Sequence, residues 1–149
     1  MTCAPYINPP AAVVAVDEPI AQAVRLLAAN NFAPLPVVDA ERRLAGTFGP
    51  QQLATLLLPM GARLAGDSFD LGFVSEAPRD LQERLAGAAG DRVGEHAAAV
   101  QPLRADSSLD EALLRMHRGE DCLFIVDDTG HLTGVMTAAS VLAPLVKGV

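Results

Sequence analysis

The side chains of this sequence that could perform chemistry are few and lie far apart. The three histidines, His96, His117 and His131, fall before an expected strand, on an expected helix and in an expected turn. No two of them have the spacing of metal ligands, so no metal site is predicted. Asp39 and Asp127 could be paired carboxylates, but each begins a polar turn in which bonds to backbone N–H groups explain it. The sequence therefore predicts no catalytic residue and no enzyme.

The two cysteines indicate neither a nucleophile nor a disulfide. Cys122 begins an apolar run and has no predicted helix N-terminus or cation beside it, so it is expected to be a small core residue. Cys3 lies near a terminus that is expected to be mobile, among prolines that block regular structure. No bridge between them is expected, and unbridged cysteines indicate the reducing cytoplasm.

Thr137 and Ser140 place two hydroxyls where a strand is expected to give way to a helix. Two interpretations of Thr137 stay open, an N-cap of the helix and a contact to a ligand, and one hydroxyl can serve both. Ser140 falls in the first turn of the helix and by itself indicates nothing further.

These hydroxyls belong to residues 123–141, in which the order of elements is clear. Residues 123–126 are apolar, 127–130 have turn composition that ends in glycine, and 132–136 are apolar again. The pattern predicts a β-hairpin and then a helix that ends near residue 147. Gly134 lies inside the second strand, where glycine is unfavourable unless another segment approaches closely.

The same order occurs earlier in the chain, which indicates an internal duplication. Residues 35–53 align with 123–141 through five identical positions, which pair Leu35, Val38, Asp39, Leu44 and Gly46 with Leu123, Val126, Asp127, Leu132 and Gly134. Upstream of each hairpin, apolar residues recur at i, i+3, i+4 and i+7, as on one face of a helix: Ile20, Ala23, Val24 and Leu27, then Leu109, Ala112, Leu113 and Met116. With strands expected at 11–16 and 97–103, each copy reads β-α-β-β-α and the fold class is α/β (α+β).

The duplication divides the chain into a first copy at 1–59, a helical connector at 60–92 and a second copy at 93–149. Aromatic residues are only 4% of the sequence, so the core is expected to be aliphatic. A net charge of −7 argues against nucleic acid as a partner, because that binding usually needs a basic face. The N-terminus lacks the pattern of a signal peptide, and no apolar run approaches the roughly 20 residues that span a bilayer, so no membrane is expected either.

Two copies in which a strand ends in Val-Asp and a turn leads into Leu-x-Gly resemble a tandem pair of cystathionine-β-synthase (CBS) domains, or Bateman module. The resemblance is carried by LPVVDAERRLAG (35–46), ADSSLDEALLRM (105–116) and FIVDDTGHLTGVMT (124–137). It implies one module with a pseudo-two-fold axis and a regulatory or sensory role. It also implies an adenosyl ligand, either AMP, ADP, ATP or S-adenosylmethionine, in a cleft between the copies. The effector protein that such a module would regulate is not specified by the sequence, and no other cofactor is expected.

In the family's ligand pattern, a Ser or Thr after the Gly meets phosphate and an Asp three residues later takes the ribose hydroxyls. The second copy has Thr137 and then Ser140 at these positions, and the first copy has Gly49 and Gln52. The resemblance therefore implies a better cleft formed by Val135, Thr137 and Ser140 with Ala12, Phe32 and Ala33. The opposite cleft would join Thr47, Gly49 and Gln52 to Gln101, Glu120 and Asp121, where two carboxylates would repel phosphate.

The changes in the ligand pattern also favour a second interpretation, a ligand-free module that binds proteins. Residues 51–58 and 138–146 are apolar around much of their helical circumference, and a monomer has only one core face for each helix. In the resembling family such helices pair two modules, so a homodimer with an isologous interface is expected.

Overall fold

The computed structural model describes residues 1–59 and 76–149, which form five α-helices and two three-stranded sheets. In chain order the elements are β1 (Val14–Ala15), α1 (Ile20–Ala29), β2 (Leu35–Val38), β3 (Leu44–Phe48), α2 (Pro50–Leu57), α3 (Pro78–Ala88), β4 (Leu103–Arg104), α4 (Leu109–His117), β5 (Cys122–Val126), β6 (Leu132–Thr137) and α5 (Ala138–Val146). The mixed α/β class and the β-α-β-β-α order of both copies are confirmed. Residues 60–75 of the expected connector lie outside the described residues, and α3 lies in its remainder. None of the helices described here is long and apolar enough to cross a bilayer.

The two sheets share one topology and one irregularity. In each sheet the first strand runs parallel to the second, and the second pairs antiparallel with the third. Gly46 lies opposite Val37 and Gly134 lies opposite Ile125, and a bulge follows each of these pairs. The strand expected at 97–103 is wrong for most of its length, since only Leu103 of that range joins the sheet. Most of residues 97–102 instead take part in the contact between the copies.

Each copy has its own aliphatic core, and a third cluster joins the two. The first core includes Val14, Ile20, Leu27, Leu35 and Phe48, and the second includes Leu103, Leu109, Leu123, Ile125 and Met136. Between them lie Val38, Phe124 and Leu132, all buried. Full burial of a side chain of this size contributes about 1.5–3 kcal/mol. The joining cluster therefore links the copies with a free energy comparable to that of a few core residues.

The first residues of the chain pack on the second copy. We call residues 1–8 the N-terminal arm. The Cys3 side chain is fully buried in the second core, and the Cys3 N–H donates to the carbonyl of Ser107 at 3.0 Å. Asn8 and Val135 exchange two backbone hydrogen bonds of 2.9 and 2.8 Å at the edge of β6. The expectation of a mobile lead-in around Cys3 is therefore wrong, because a sequence-distant core holds it.

The residues that lead into the second copy pack on the first copy in the same way. We call residues 91–98 the connector arm. Val93 is fully buried in the first core, and its N–H donates to the carbonyl of Glu18 at 2.8 Å. Ala98 and Thr47 exchange two backbone hydrogen bonds of 2.9 Å at the edge of β3. Each copy is thus completed by the arm that precedes the other copy.

Glycine at the third strand of each hairpin permits these contacts. A Cβ atom at Gly46 would lie 2.6 Å from the carbonyl oxygen of Ala98 in the connector arm. A Cβ atom at Gly134 would overlap Ile7 Cγ2 and would lie 2.9 Å from the carbonyl oxygen of Asn8. The close approach expected at both glycines is confirmed, and the approaching segment is an arm in each case.

Candidate ligand-binding cleft

A cleft of about 1060 Å³ opens between the two copies. Its walls come from the loop after α1, the junction of β3 and α2, the residues that follow the connector arm, the end of α4 and the first residues of β5. The lining includes Phe32, Ala33, Pro34, Thr47, Gly49 and Gln52 from the first copy, and Val100, Gln101, Arg115, Arg118, Glu120, Asp121, Cys122 and Thr137 from the second.

The loop after α1 has an unusual backbone. Asn31 and Phe32 have φ angles of 58° and 62°, which place two consecutive non-glycine residues in the left-handed region. Such a conformation costs of order 1–3 kcal/mol at a residue other than glycine, and it often marks functional sites. The Phe32 N–H still reaches the carbonyl of Leu27 at 2.7 Å, and its side chain is 49% exposed. The loop thus holds an aromatic side chain in the wall of the cleft instead of in the core.

Thr137 and Ser140 cap helix α5 reciprocally. The Ser140 N–H donates to Thr137 Oγ1 at 3.1 Å, and the Thr137 N–H donates to Ser140 Oγ at 2.9 Å. The Ser140 hydroxyl also donates to the carbonyl of Thr137, so both of its hydrogen-bonding roles are occupied. Of the two interpretations of Thr137, the N-cap is present. The hydrogen of the Thr137 hydroxyl has no role in the cap and can face the cleft.

The equivalent positions of the first copy cap the N-terminus of α2 in a different way. The Gly49 N–H donates to Gln52 Oε1 at 2.8 Å, so the Gln52 amide takes the capping role of a hydroxyl. A Cβ atom at Gly49 would lie 3.2 Å from Pro34 Cα, so a side chain here would press on the start of β2. Thr47 donates its hydroxyl to the carbonyl of Leu35 at 3.2 Å.

The charges of the cleft differ from those expected, because Arg115 pairs with Glu120. The Arg115 guanidinium donates to both Glu120 oxygens at 2.9 and 2.7 Å and to the carbonyl of Gln101 at 2.6 Å. These hydrogen bonds lower the pKa of Glu120, and the nearby charges of Arg115 and Arg118 add to the effect. Glu120 is therefore neutralised rather than free to repel an anion.

Arg115 and Arg118 are the basic cleft residues that the sequence interpretation missed. Arg115 lies in the last turn of α4 and Arg118 is the residue that follows the helix, just before Gly119 and the strand that faces the other copy. Arg118 is exposed, so a second guanidinium remains available at the cleft. The sequence signal that could have found them is a pair of arginines at i and i+3 ahead of β5, a strand with an equivalent in the first copy.

Cys122 lies in the same wall and is unreactive at neutral pH. It pairs with Thr137 across β5 and β6. Burial raises the pKa of the Cys122 thiol to about 11, with a further contribution from the charge of Asp121. Little thiolate exists at neutral pH, so the cleft contains no activated sulfur nucleophile.

The structure brings together only part of the predicted site. Phe32, Ala33 and Thr137 line the cleft. Ala12 packs against the first core, Val135 pairs with Asn8, and Ser140 is occupied as a cap. The six residues assigned to the poorer cleft all line the observed one: Thr47, Gly49, Gln52, Gln101, Glu120 and Asp121. The cavity thus lies on the side that the sequence interpretation disfavoured, and the binding roles of all these residues stay predictions.

The sequence and the fold both have known relatives. A profile of the CBS domain matches residues 4–58 and 98–147. A CBS domain-containing protein of unknown function from Kribbella flavida superposes with a TM-score of 0.71 and 22% identity, over 98% of this chain and 99% of the other.

Two further structures contain a bound nucleotide. CBSX2 in complex with AMP superposes with a TM-score of 0.69 and 22% identity, over 98% of this chain and 96% of the other. CbpB in complex with c-di-AMP gives a TM-score of 0.68 and 18% identity, over 99% of this chain and 85% of the other. No curated protein matches the sequence.

Proposed function

Because the chain belongs to the CBS domain family, we propose that it is a regulatory module that binds an adenosyl ligand in the cleft between its two copies. The observation that carries the proposal is the joint presence of an exposed aromatic side chain and an exposed guanidinium, Phe32 and Arg118, in one cleft. A nucleotide has a flat base, which can stack on the aromatic ring, and an anionic phosphate, which can pair with the guanidinium. Structures of similar fold bind AMP and c-di-AMP, which supports this class of ligand.

The rest of the cleft suits such a ligand. Pro34 and Val100 extend the apolar wall, and the volume of about 1060 Å³ leaves room for a nucleotide and its water. Gln52 holds the position at which the family pattern has a carboxylate, and its amide oxygen already accepts the Gly49 N–H. Loss of a charge-assisted hydrogen bond to the ribose costs roughly 1.5–3 kcal/mol, so we expect weaker binding than at a site with the acid.

The proposed regulatory role also rests on which catalytic groups are absent from the cleft lining. The lining has no nucleophile paired with a base, so a regulatory role is proposed rather than a catalytic one. The two free cysteines fit a cytoplasmic protein. An effector protein would sense the change that the ligand causes in the position of the two copies.

Calorimetric titration with AMP, ADP, ATP, c-di-AMP and S-adenosylmethionine tests the proposal. We expect one site per chain for at least one of these compounds, and a loss of about tenfold in affinity for Arg118→Gln, equivalent to about 1.4 kcal/mol. Arg25→Gln is the matched control, since Arg25 is an exposed arginine that does not line the cleft. Binding that is equal in Arg118→Gln and the native protein would show that the site is misplaced.

A ligand-free homodimeric interaction module is the second candidate. It is favoured by the exposed apolar residues of α5, Leu142, Leu145 and Val146. The absence of heat with all five compounds, together with a stable dimer, would favour this alternative.

A further inference from the structure

Three potential metal ligands meet in the connector arm, far in sequence from any cleft residue of the first copy. An imidazole nitrogen of His96 and one carboxylate oxygen each of Asp91 and Glu95 all lie within 4.8 Å of one another. His96 Nε2 lies 2.9 Å from Asp91 Oδ2. The sequence alone does not indicate this cluster, because its single histidine forms no metal-binding spacing with another histidine.

The three side chains are held by a backbone that is already fixed. The carbonyl of Asp91 accepts the Ile20 N–H at 2.9 Å, and Val93 is buried in the first core. The N–H groups of His96 and Ala97 both donate to the carbonyl of Val93 at 3.0 Å. A cation bound here would not have to order the chain, which removes a main cost of building a site from one short segment.

The duplication provides an internal control for the role of these side chains. The N-terminal arm forms the same turn. Its Tyr6 N–H donates to the carbonyl of Cys3, just as the His96 N–H donates to the carbonyl of Val93. Met1, Pro5 and Tyr6 occupy the positions equivalent to Asp91, Glu95 and His96, and they offer no comparable ligand set. The turn therefore forms without the cluster, and the backbone does not explain why three ligating side chains converge in one arm only.

The surrounding charge favours a cation. Two carboxylates lie together, and Asp91 follows the C-terminal end of α3, where its N–H bonds to the carbonyl of Ala88 at 3.0 Å. A helix C-terminus carries a partial negative charge. The structure thus concentrates negative potential at a point where an imidazole nitrogen is also available.

We propose that Asp91, Glu95 and His96 bind a borderline divalent cation of the Zn²⁺ class. One nitrogen and two carboxylate oxygens form a ligand set that Zn²⁺ accepts, with water in the remaining positions. Ca²⁺ and Mg²⁺ prefer oxygen ligands throughout, so an imidazole in the cluster disfavours them. The site lies outside the cleft and does not depend on nucleotide binding.

Calorimetric titration with Zn²⁺ tests this site, with Cys122→Ser as the background so that the thiol does not compete. We expect one ion per chain, and at least tenfold weaker binding after His96→Gln. His117→Gln is the matched control, because His117 is an exposed histidine outside the cluster. Glu95→Gln should also weaken binding, and we expect this variant to fold even if His96→Gln does not, because Glu95 is exposed.

Co²⁺ supplies an independent readout. Its absorption spectrum on the same background should show nitrogen and oxygen ligation, and the spectrum should disappear in His96→Gln but not in His117→Gln. Unchanged Zn²⁺ affinity in both His96→Gln and Glu95→Gln, or no binding by the native cluster, would overturn the proposal and leave the hydrogen bond between His96 and Asp91 as the cluster's whole role.

Discussion

The guanidinium of Arg115 illustrates how single residues set the character of the cleft. Its side chain is only 12% exposed, and it bonds to two acidic oxygens and one backbone carbonyl. Such a pair contributes modestly to stability, because desolvation offsets much of the attraction. Its larger effect is on charge, since it neutralises Glu120 and leaves Arg118 as an exposed cation in the cleft.

Cys122 gives a pH-dependent prediction at the same scale. Because burial raises its pKa to about 11, the thiol stays protonated well above neutral pH and reacts only as the small thiolate fraction. The rate of alkylation by iodoacetamide in the folded protein should therefore keep rising with pH to about 11. Mass spectrometry of the modified peptide measures it, and Cys122→Ser gives the background. A rate that levels off near pH 8.5, as for an ordinary cysteine, would contradict the assignment.

At the scale of elements, the two arms complete the third strands of both sheets. Each arm adds a pair of backbone bonds to an edge that would otherwise be open, at Val135 in one copy and Thr47 in the other. An uncovered edge strand is a site for unwanted pairing. The glycine opposite each bulge is what lets the arm approach.

Gly134→Val should therefore destabilise the protein strongly. The new side chain would overlap Ile7 Cγ2 and the Asn8 carbonyl, and overpacking of this kind costs about 1–3 kcal/mol. Gly87→Val is the matched control, because a Cβ atom at Gly87 meets nothing within 4 Å. Urea denaturation followed by circular dichroism measures both. Equal midpoints for the two variants would show that the arm yields without cost.

The sequence predicted the hairpins and helices but not the arms, for a physical reason. The hairpins rest on local signals, such as the apolar runs on either side of residues 127–130, and Gly134 even signalled that something approaches. The approaching partner could not be identified, because Ile7 and Asn8 lie more than a hundred positions before Gly134 and no periodicity connects them. Arg115 was missed for a different reason, since its acceptors on Gln101 and Glu120 belong to irregular segments in which no periodic pattern predicts side-chain partners.

At the scale of the whole molecule, the two copies differ in how their last helices are covered. Helix α2 packs against α3, and Arg84 of α3 donates to the carbonyl of Leu57. Helix α5 has no such cover within the described residues. Its Leu142, Leu145 and Val146 are 42%, 46% and 60% exposed. A contiguous apolar face of this kind is typical of an interface.

We therefore expect a homodimer that forms through α5. Light scattering at micromolar concentration should give about twice 15.5 kDa. Leu145→Glu should give a monomer with an unchanged circular dichroism spectrum, because it places a charge in the interface and not in the core. Leu81→Glu is the control, since Leu81 is similarly exposed on α3. A native protein that is monomeric at this concentration would contradict the interface.

The exchange of arms also determines when each half can fold during synthesis. The first copy is complete once the chain has been made to residue 98, because the connector arm supplies its missing core residue and edge. The second copy instead needs the N-terminal arm, which must wait for partners more than a hundred positions later in the chain. At synthesis rates of about 5–20 residues per second that wait lasts about 5–20 s, during which Cys3, Tyr6 and Ile7 have no core to enter. We therefore expect the N-terminal arm to dock late, because its contacts close a loop of more than a hundred residues and non-local contacts slow folding.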